Sequence, residues 1–230
     1  MFSHIFLAQT DREMAESLPK HLAYMALHFS PYSAGLSNAP KELPAGSILL
    51  LDDSMPPNGH DPQAVVNQLR QLVVQFSSHG VLLDFQRQET EEAERMVICI
   101  LEALSCPVAV TKQYAKNLHC PVFLPPLPVN KSLKGYLQPW LKQGVYLEIA
   151  PEASEITVTE QGSTTVQIPL APNLPLQDEQ LHCHYNVEVF PDKAVFTICR
   201  NNTDLQSLVQ EAEAMGVLGC VGLYKELHNI

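Results

Sequence analysis

The sequence predicts an α/β protein: a small (β/α)8 TIM-type barrel with an antiparallel β insertion between the seventh strand and the last helix. Three observations carry that expectation. Eight short apolar segments recur along the chain with helical patterns or loops between them, the signature of repeated β/α units. Ile48-Leu49-Leu50-Leu51 and Val81-Leu82-Leu83 are continuous apolar runs, as strands buried on both faces are. Residues 154–200 instead alternate with period two around turn residues, which suits half-exposed antiparallel hairpins.

The expected strands are Ile5 to Gln9, Ala23 to Phe29, Ser47 to Asp52, Gly80 to Phe85, Pro107 to Thr111, Pro121 to Leu124, Val145 to Ile149 and Cys220 to Tyr224. One helix opens at Asp61-Pro62, an N-cap followed by proline at the first helical position, and Val65, Leu69, Leu72, Val73 and Phe76 then mark one face. A second starts near Thr90, with Ala93, Met96, Val97, Ile100, Leu101 and Leu104 apolar. A third runs from Thr203 through Leu205, Leu208, Val209 and Ala212 to Met215-Gly216, where glycine suits a left-handed cap. A weaker helix is expected from Lys131 to Leu141 against the opposition of Gly135 and Pro139, and Ala115 to Pro128 leaves little room for one.

In the insertion, Ile156-Thr157-Val158-Thr159 and Thr165-Val166-Gln167-Ile168 flank Gln161-Gly162. Asn186 to Val189 and Ala194 to Ile198 flank Pro191-Asp192-Lys193, and a proline-rich connector, Pro169 to Pro175, lies between the two hairpins. The expected organisation is therefore a barrel over residues 1–153 and 201–230 with an inserted hairpin subdomain over 154–200. About 180 residues then remain for a barrel that typically takes ~250, so some of its helices must be stunted.

Composition narrows the function. Fourteen Lys+Arg against 25 Asp+Glu leave a formal charge of −11, so no surplus of cations exists to neutralise nucleic-acid phosphates or to dock on anionic lipid. The apolar run at Ile5 to Ala8 is short and lacks a basic flank, unlike a signal peptide, and no run reaches the ~18 apolar residues of a membrane span. Of six cysteines, Cys99, Cys199 and Cys220 sit inside apolar segments and no C-x-x-C occurs, which predicts reduced thiols in a cytoplasm. No glycine spacing suits a nucleotide cradle, and no cofactor is expected.

Residues His79-Gly80-Val81-Leu82-Leu83-Asp84-Phe85-Gln86 resemble the fourth-strand motif of chitinase-like family 18 glycoside hydrolases, Asp-Gly-x-Asp-x-Asp-x-Glu. Gly80 and Asp84 match; His79 and Leu82 stand where the family has its first and second Asp, and Gln86 stands where it has its catalytic Glu. The resemblance extends to the insertion in the seventh β/α unit and to a last strand, Gly219 to Tyr224, that ends in an aromatic. It implies a family barrel that has lost its chemistry. A general acid must hold a proton it can give up, and a carboxamide has none; losing the acid costs roughly 10²–10⁴ in rate. Leu82 cannot accept the hydrogen bond by which the family's Asp orients the substrate acetamido group as nucleophile.

Function in such barrels sits at the C-terminal ends of the strands. Strand ends here supply Asp52, Asp53, Asp84, Gln86, Lys112, Glu148, Tyr224 and Glu226 as candidate pocket residues, none of them assigned a catalytic role. Asp52 and Asp53 are adjacent, so only one is expected to line the barrel, whereas Asp84 should point inward and take a cation, Lys112 or Arg87. His182-Cys183-His184 places two histidines on one strand face, but no third ligand has metal-site spacing, and His60, His119 and His228 join only through folding, so a plain strand edge is favoured and no metal is expected. Trp140 either packs on the barrel or sits at an interface.

Two functions remain. One is a non-catalytic glycoside-hydrolase-like barrel, a pseudoenzyme that binds a small molecule, a carbohydrate or a partner. The alternative is a hydrolase, glycosidases included, that uses strand-end carboxylates by a mechanism other than that of family 18. A mouth holding several carboxyl groups, one with a raised pKa, favours the enzyme; one plugged by Leu82, Phe85 and Tyr224 favours binding. The ligand and the oligomeric state are not encoded in any motif.

Overall fold

The computed structural model describes residues 5–170 and 174–227. In chain order the elements are β1 (Ile5–Gln9), α1 (Asp11–Met14), β2 (Leu22–Phe29), β3 (Leu36–Ser37), β4 (Ile48–Asp52), α2 (Pro62–Phe76), β5 (Gly80–Asp84), α3 (Glu91–Ala103), β6 (Val108–Thr111), α4 (Lys112–Leu118), β7 (Val122–Leu124), α5 (Leu133–Leu137), β8 (Val145–Glu148), β9 (Glu152–Thr159), β10 (Gly162–Gln167), β11 (Leu176–Asp178), β12 (Cys183–Val189), β13 (Lys193–Arg200), α6 (Asn202–Ala214), β14 (Gly219–Leu223) and α7 (Tyr224–Leu227). Among the described residues, the eight parallel strands β1, β2, β4, β5, β6, β7, β8 and β14 pair in sequence, and β1 pairs with both β2 and β14, so the sheet closes into a barrel. The short β3 runs antiparallel to the end of β2.

The inner and outer faces of the strands separate by parity. Phe6, Ala8, Ala23, Ile48, Leu50, Leu82, Ala109, Phe123, Tyr146 and Val221 fill the interior, large beside small. The odd-numbered neighbours Leu49, Leu51, Val81 and Leu83 face outward into a second layer shared with α2, α3 and α6. Both layers are apolar, which is why these strands are unbroken hydrophobic runs.

The three long helices follow their sequence signals. The Asp61 side chain accepts from Gln63 N at 3.1 Å, with Pro62 in the first turn. Thr90 accepts from Ala93 N at 3.2 Å. Asn201 and Asp204 form a reciprocal capping box at the start of α6, and Gly216 beyond its end has φ +87°. The stunted helices are placed differently from expectation. α4 begins directly at Lys112 with Thr111 as N-cap and continues to Leu118, into the stretch expected to have little room for a helix, and α5 spans only five residues before the turns around Pro139. Trp140 packs partly buried against the outer apolar layer.

The insertion does not stay as two separate hairpins. β9 pairs with β13 over Glu152–Thr159, which joins them into one five-stranded antiparallel sheet, β10-β9-β13-β12-β11. Arg200, at the end of this sheet, is 1% exposed and pins it to the barrel: its guanidinium donates to the carbonyls of His182 (3.1 Å), Leu181 (2.9 Å) and Leu127, the last in the loop after β7.

Candidate functional site

The C-terminal rim of the barrel is polar. Continuing the inward register upward from the apolar interior brings Asp52 after Leu50, Asp84 after Leu82, Thr111 after Ala109 and Glu148 after Tyr146. Asp52 and Asp84 are direct register partners, and His28 at the end of β2 is the partner of Asp52. His28 carried no sequence signal, because only the irregular pairing of β2 between Tyr24 and Leu27 turns it toward the rim.

The segment after β5 is held from both sides. Asp53, 4% exposed, accepts Gln86 N and Arg87 N, each at 2.9 Å. Thr111 Oγ1 (2.9 Å) and Gln113 Nε2 (3.0 Å) donate to the Phe85 carbonyl, and Gln113 Nε2 also reaches the Arg87 carbonyl (3.1 Å). Asp53 thus lies away from the rim that Asp52 joins, and it positions the backbone of Gln86. Gln113 was not foreseen, since an amide near a strand end has no distinguishing pattern.

So fixed, Gln86 returns its side chain to the mouth and donates from Nε2 to Asp84 Oδ1 at 2.5 Å. The expected cation for Asp84 is therefore replaced by an amide. Arg87 turns instead to the carbonyls of Asp53 (2.6 Å) and Ser54 (2.5 Å), and Lys112 donates to the Tyr136 hydroxyl (3.1 Å). Burial raises the pKa of Asp84; the Gln86 hydrogen bond opposes that, and Asp52 and Asp53 add to it.

A cleft of about 350 Å³ opens beside this pair, and its lining includes Phe85, Gln86, Lys112, Lys116, Phe123, Pro125 and Glu148. Glu148 is pushed up from the ordinary 4.5 to about 7, mainly by burial and then by the charges of Asp84 and Glu226. It is therefore a proton donor at mildly acid pH and a carboxylate above neutrality. Burial, reinforced by Lys131, lowers the pKa of Lys112.

Tyr224, Glu226 and His79 are not part of this cleft lining. β14 ends at Leu223, so Tyr224 begins α7 rather than tipping the strand, and Glu226 is exposed on the same short helix. Phe85 contributes to the cleft lining, but its ring packs on Phe29 and Tyr114, at centroid distances of 5.7 and 6.1 Å, and does not plug the mouth. His79 packs near the barrel floor beside Phe6 (5.3 Å) and Tyr146 (6.4 Å). His182 and His184 do not share a strand face: His182 precedes β12 with φ +49° and bonds Glu211 (2.8 Å), while His184 bonds Asp204 (3.0 Å). His228 lies outside the described residues.

No family model matches the sequence, and no curated protein does. Solved structures do match in fold. The spore cortex-lytic enzyme SleL of Bacillus cereus has a TM-score of 0.56 at 10% identity, over 95% of this chain and 70% of that one. A GH18 chitinase from Cycas revoluta, a mutant carrying a glutamate-to-glutamine substitution and solved in complex with (GlcNAc)4, has a TM-score of 0.56 at 12% identity, over 96% and 94%. Human YKL-39, described as a pseudo-chitinase with retained chitooligosaccharide binding properties, has a TM-score of 0.53 at 10% identity, over 95% and 91%. The chain thus has the barrel fold of chitinase-like family 18 proteins, as the motif around Asp84 implied. No described helix is long and apolar enough to cross a membrane.

Proposed function

We propose that this protein is a non-hydrolytic saccharide-binding barrel whose ligand occupies the cleft beside Gln86. The observation that carries the reading is the Gln86–Asp84 pair at the end of β5 above a buried Leu82. An amide there donates and accepts hydrogen bonds but has no proton to lose to a leaving oxygen, and Leu82 holds no acetamido group in place. A pocket with an apolar floor and a few convergent polar groups is built for binding. The likeness to a pseudo-chitinase that keeps chitooligosaccharide binding, and to a glutamine-substituted chitinase holding (GlcNAc)4, supports the same ligand class. The division into a barrel, 1–153 with 201–230, and an inserted subdomain, 154–200, belongs to this proposal; it is supported by the insertion strands pairing, among the described residues, with one another.

The test pairs calorimetric titration of chitotetraose with a turnover screen of aryl glycosides. The reading expects binding that Asp84→Ala weakens, and no turnover. Turnover abolished by Asp84→Ala would overturn it.

The rim also favours a second reading, in which the barrel is a hydrolase of another mechanism: it gathers Asp52, Asp84 and Glu148, neither Phe85 nor Tyr224 plugs it, and Glu148 titrates near 7, where a general acid works best. That reading expects a turnover profile falling above pH 7 and lost in Glu148→Gln.

A further inference from the structure

The lysine wall of the cleft is unused by the reading above, and in an acidic protein it is anomalous. The chain carries 25 acidic residues against 14 Lys and Arg, yet Lys112 and Lys116 line one cleft, with Lys131 close enough to act on Lys112. Among the described residues, no carboxylate lies within ion-pair distance of Lys112 or Lys116, although Glu148 lines the same cleft.

Lys112 is also held in place. Its Nζ donates to the Tyr136 hydroxyl at 3.1 Å and lies 4.5 Å from the centre of the Tyr136 ring, and that hydroxyl in turn donates to the Pro125 carbonyl at 2.9 Å. An ammonium has three donors, and one is spent on the tyrosine. Two remain on a partly desolvated cation that Lys131 repels, with Lys116 and Glu148 in the same cleft lining. An anion placed there gains charge-assisted hydrogen bonds and relieves the repulsion among the lysines.

We infer that the cleft selects an anionic saccharide, with the sugar's carboxylate or a comparable compact anion on Lys112 and Lys116 and its hydroxyls on Gln86 and Glu148. This rests on the saccharide-binding reading and deepens it. Phe123 and Pro125 supply the apolar floor for the ring face. Lys112 sets specificity, because a neutral sugar would leave its two free donors without a charged acceptor.

The experiment compares two probes by calorimetry at low salt: chitotetraose, which is neutral, and a hyaluronan tetrasaccharide, which alternates glucuronate with N-acetylglucosamine. The expected result is tighter binding of the hyaluronan probe by about tenfold or more, weakened by added salt. Lys112→Met should abolish most of that preference, and Lys112→Arg should restore it in part. Melting curves on both variants check that they fold. Equal binding of the two probes, or a preference that survives in Lys112→Met, overturns the inference and leaves the saccharide reading standing. Binding of neither probe removes that reading, and the inference with it.

Discussion

Glu148→Gln should stabilise this protein at alkaline pH and do little at acid pH. In the native barrel the carboxyl titrates near 7, against about 4.5 when exposed, because burial and the charges of Asp84 and Glu226 disfavour its ionised form. The native state therefore binds the proton more tightly than the unfolded chain. Below the unfolded value both states are protonated and the native state carries no penalty. As pH rises from 4.5 through 7, the unfolded chain releases its proton first, and stability is lost until the native group has ionised too. At about 1.4 kcal/mol for each pKa unit, the gap amounts to about 3 kcal/mol by pH 8. Glutamine has the same shape and no charge, so it avoids that loss. A chain of this length moves about 2–4 °C per kcal/mol, which predicts a melting temperature roughly 6–12 °C above wild type at pH 8. The assay is differential scanning fluorimetry of both proteins from pH 4 to 9. Equal melting differences at pH 4 and pH 8, or a destabilised variant at pH 8, would refute the reasoning.

Three further outcomes follow from the site and its supports. Asp53→Ala removes the acceptor of two backbone N–H groups, Gln86 and Arg87, and should cost about 2–4 kcal/mol in urea denaturation, with Asp53→Asn recovering part of it. Arg200→Met orphans three carbonyls, two of them buried, between the inserted sheet and the loop after β7, and should cost about 3 kcal/mol or more while opening that loop to limited proteolysis. Gln86→Glu should create no chitinase, because Leu82 still offers nothing to orient an acetamido group; release of shorter sugars from chitotetraose by that single variant would contradict the mechanism.

The barrel was legible because its strands are buried on both faces. Such strands need no alternation, and Ile48 to Leu51 or Val81 to Leu83 announce themselves by unbroken hydrophobicity. The caps at Asp61, Thr90 and Gly216 were legible because capping is local chemistry. What escaped was nonlocal. Pairing of β9 with β13 joins residues about forty positions apart, and nothing in either hairpin marks which edge the other takes. The partner of Asp84 was expected to be a cation, but Lys112 is claimed by Tyr136, and Arg87 by the carbonyls of Asp53 and Ser54. The adjacent Asp52 and Asp53 divide as alternation requires, one to the rim and one to the backbone of Gln86, but the sequence could not say which. The titration of Glu148 depends on its burial at the closed rim and on the carboxylates of Asp84 and Glu226 that other elements bring near it, and no local pattern encodes that.

Native mass spectrometry of the protein after prolonged incubation with chitotetraose reads binding and cleavage in one spectrum. The amide at the end of β5 predicts a bound species at the mass of the intact tetrasaccharide and no shorter oligomers. Bound or free disaccharide, growing with time, would contradict it.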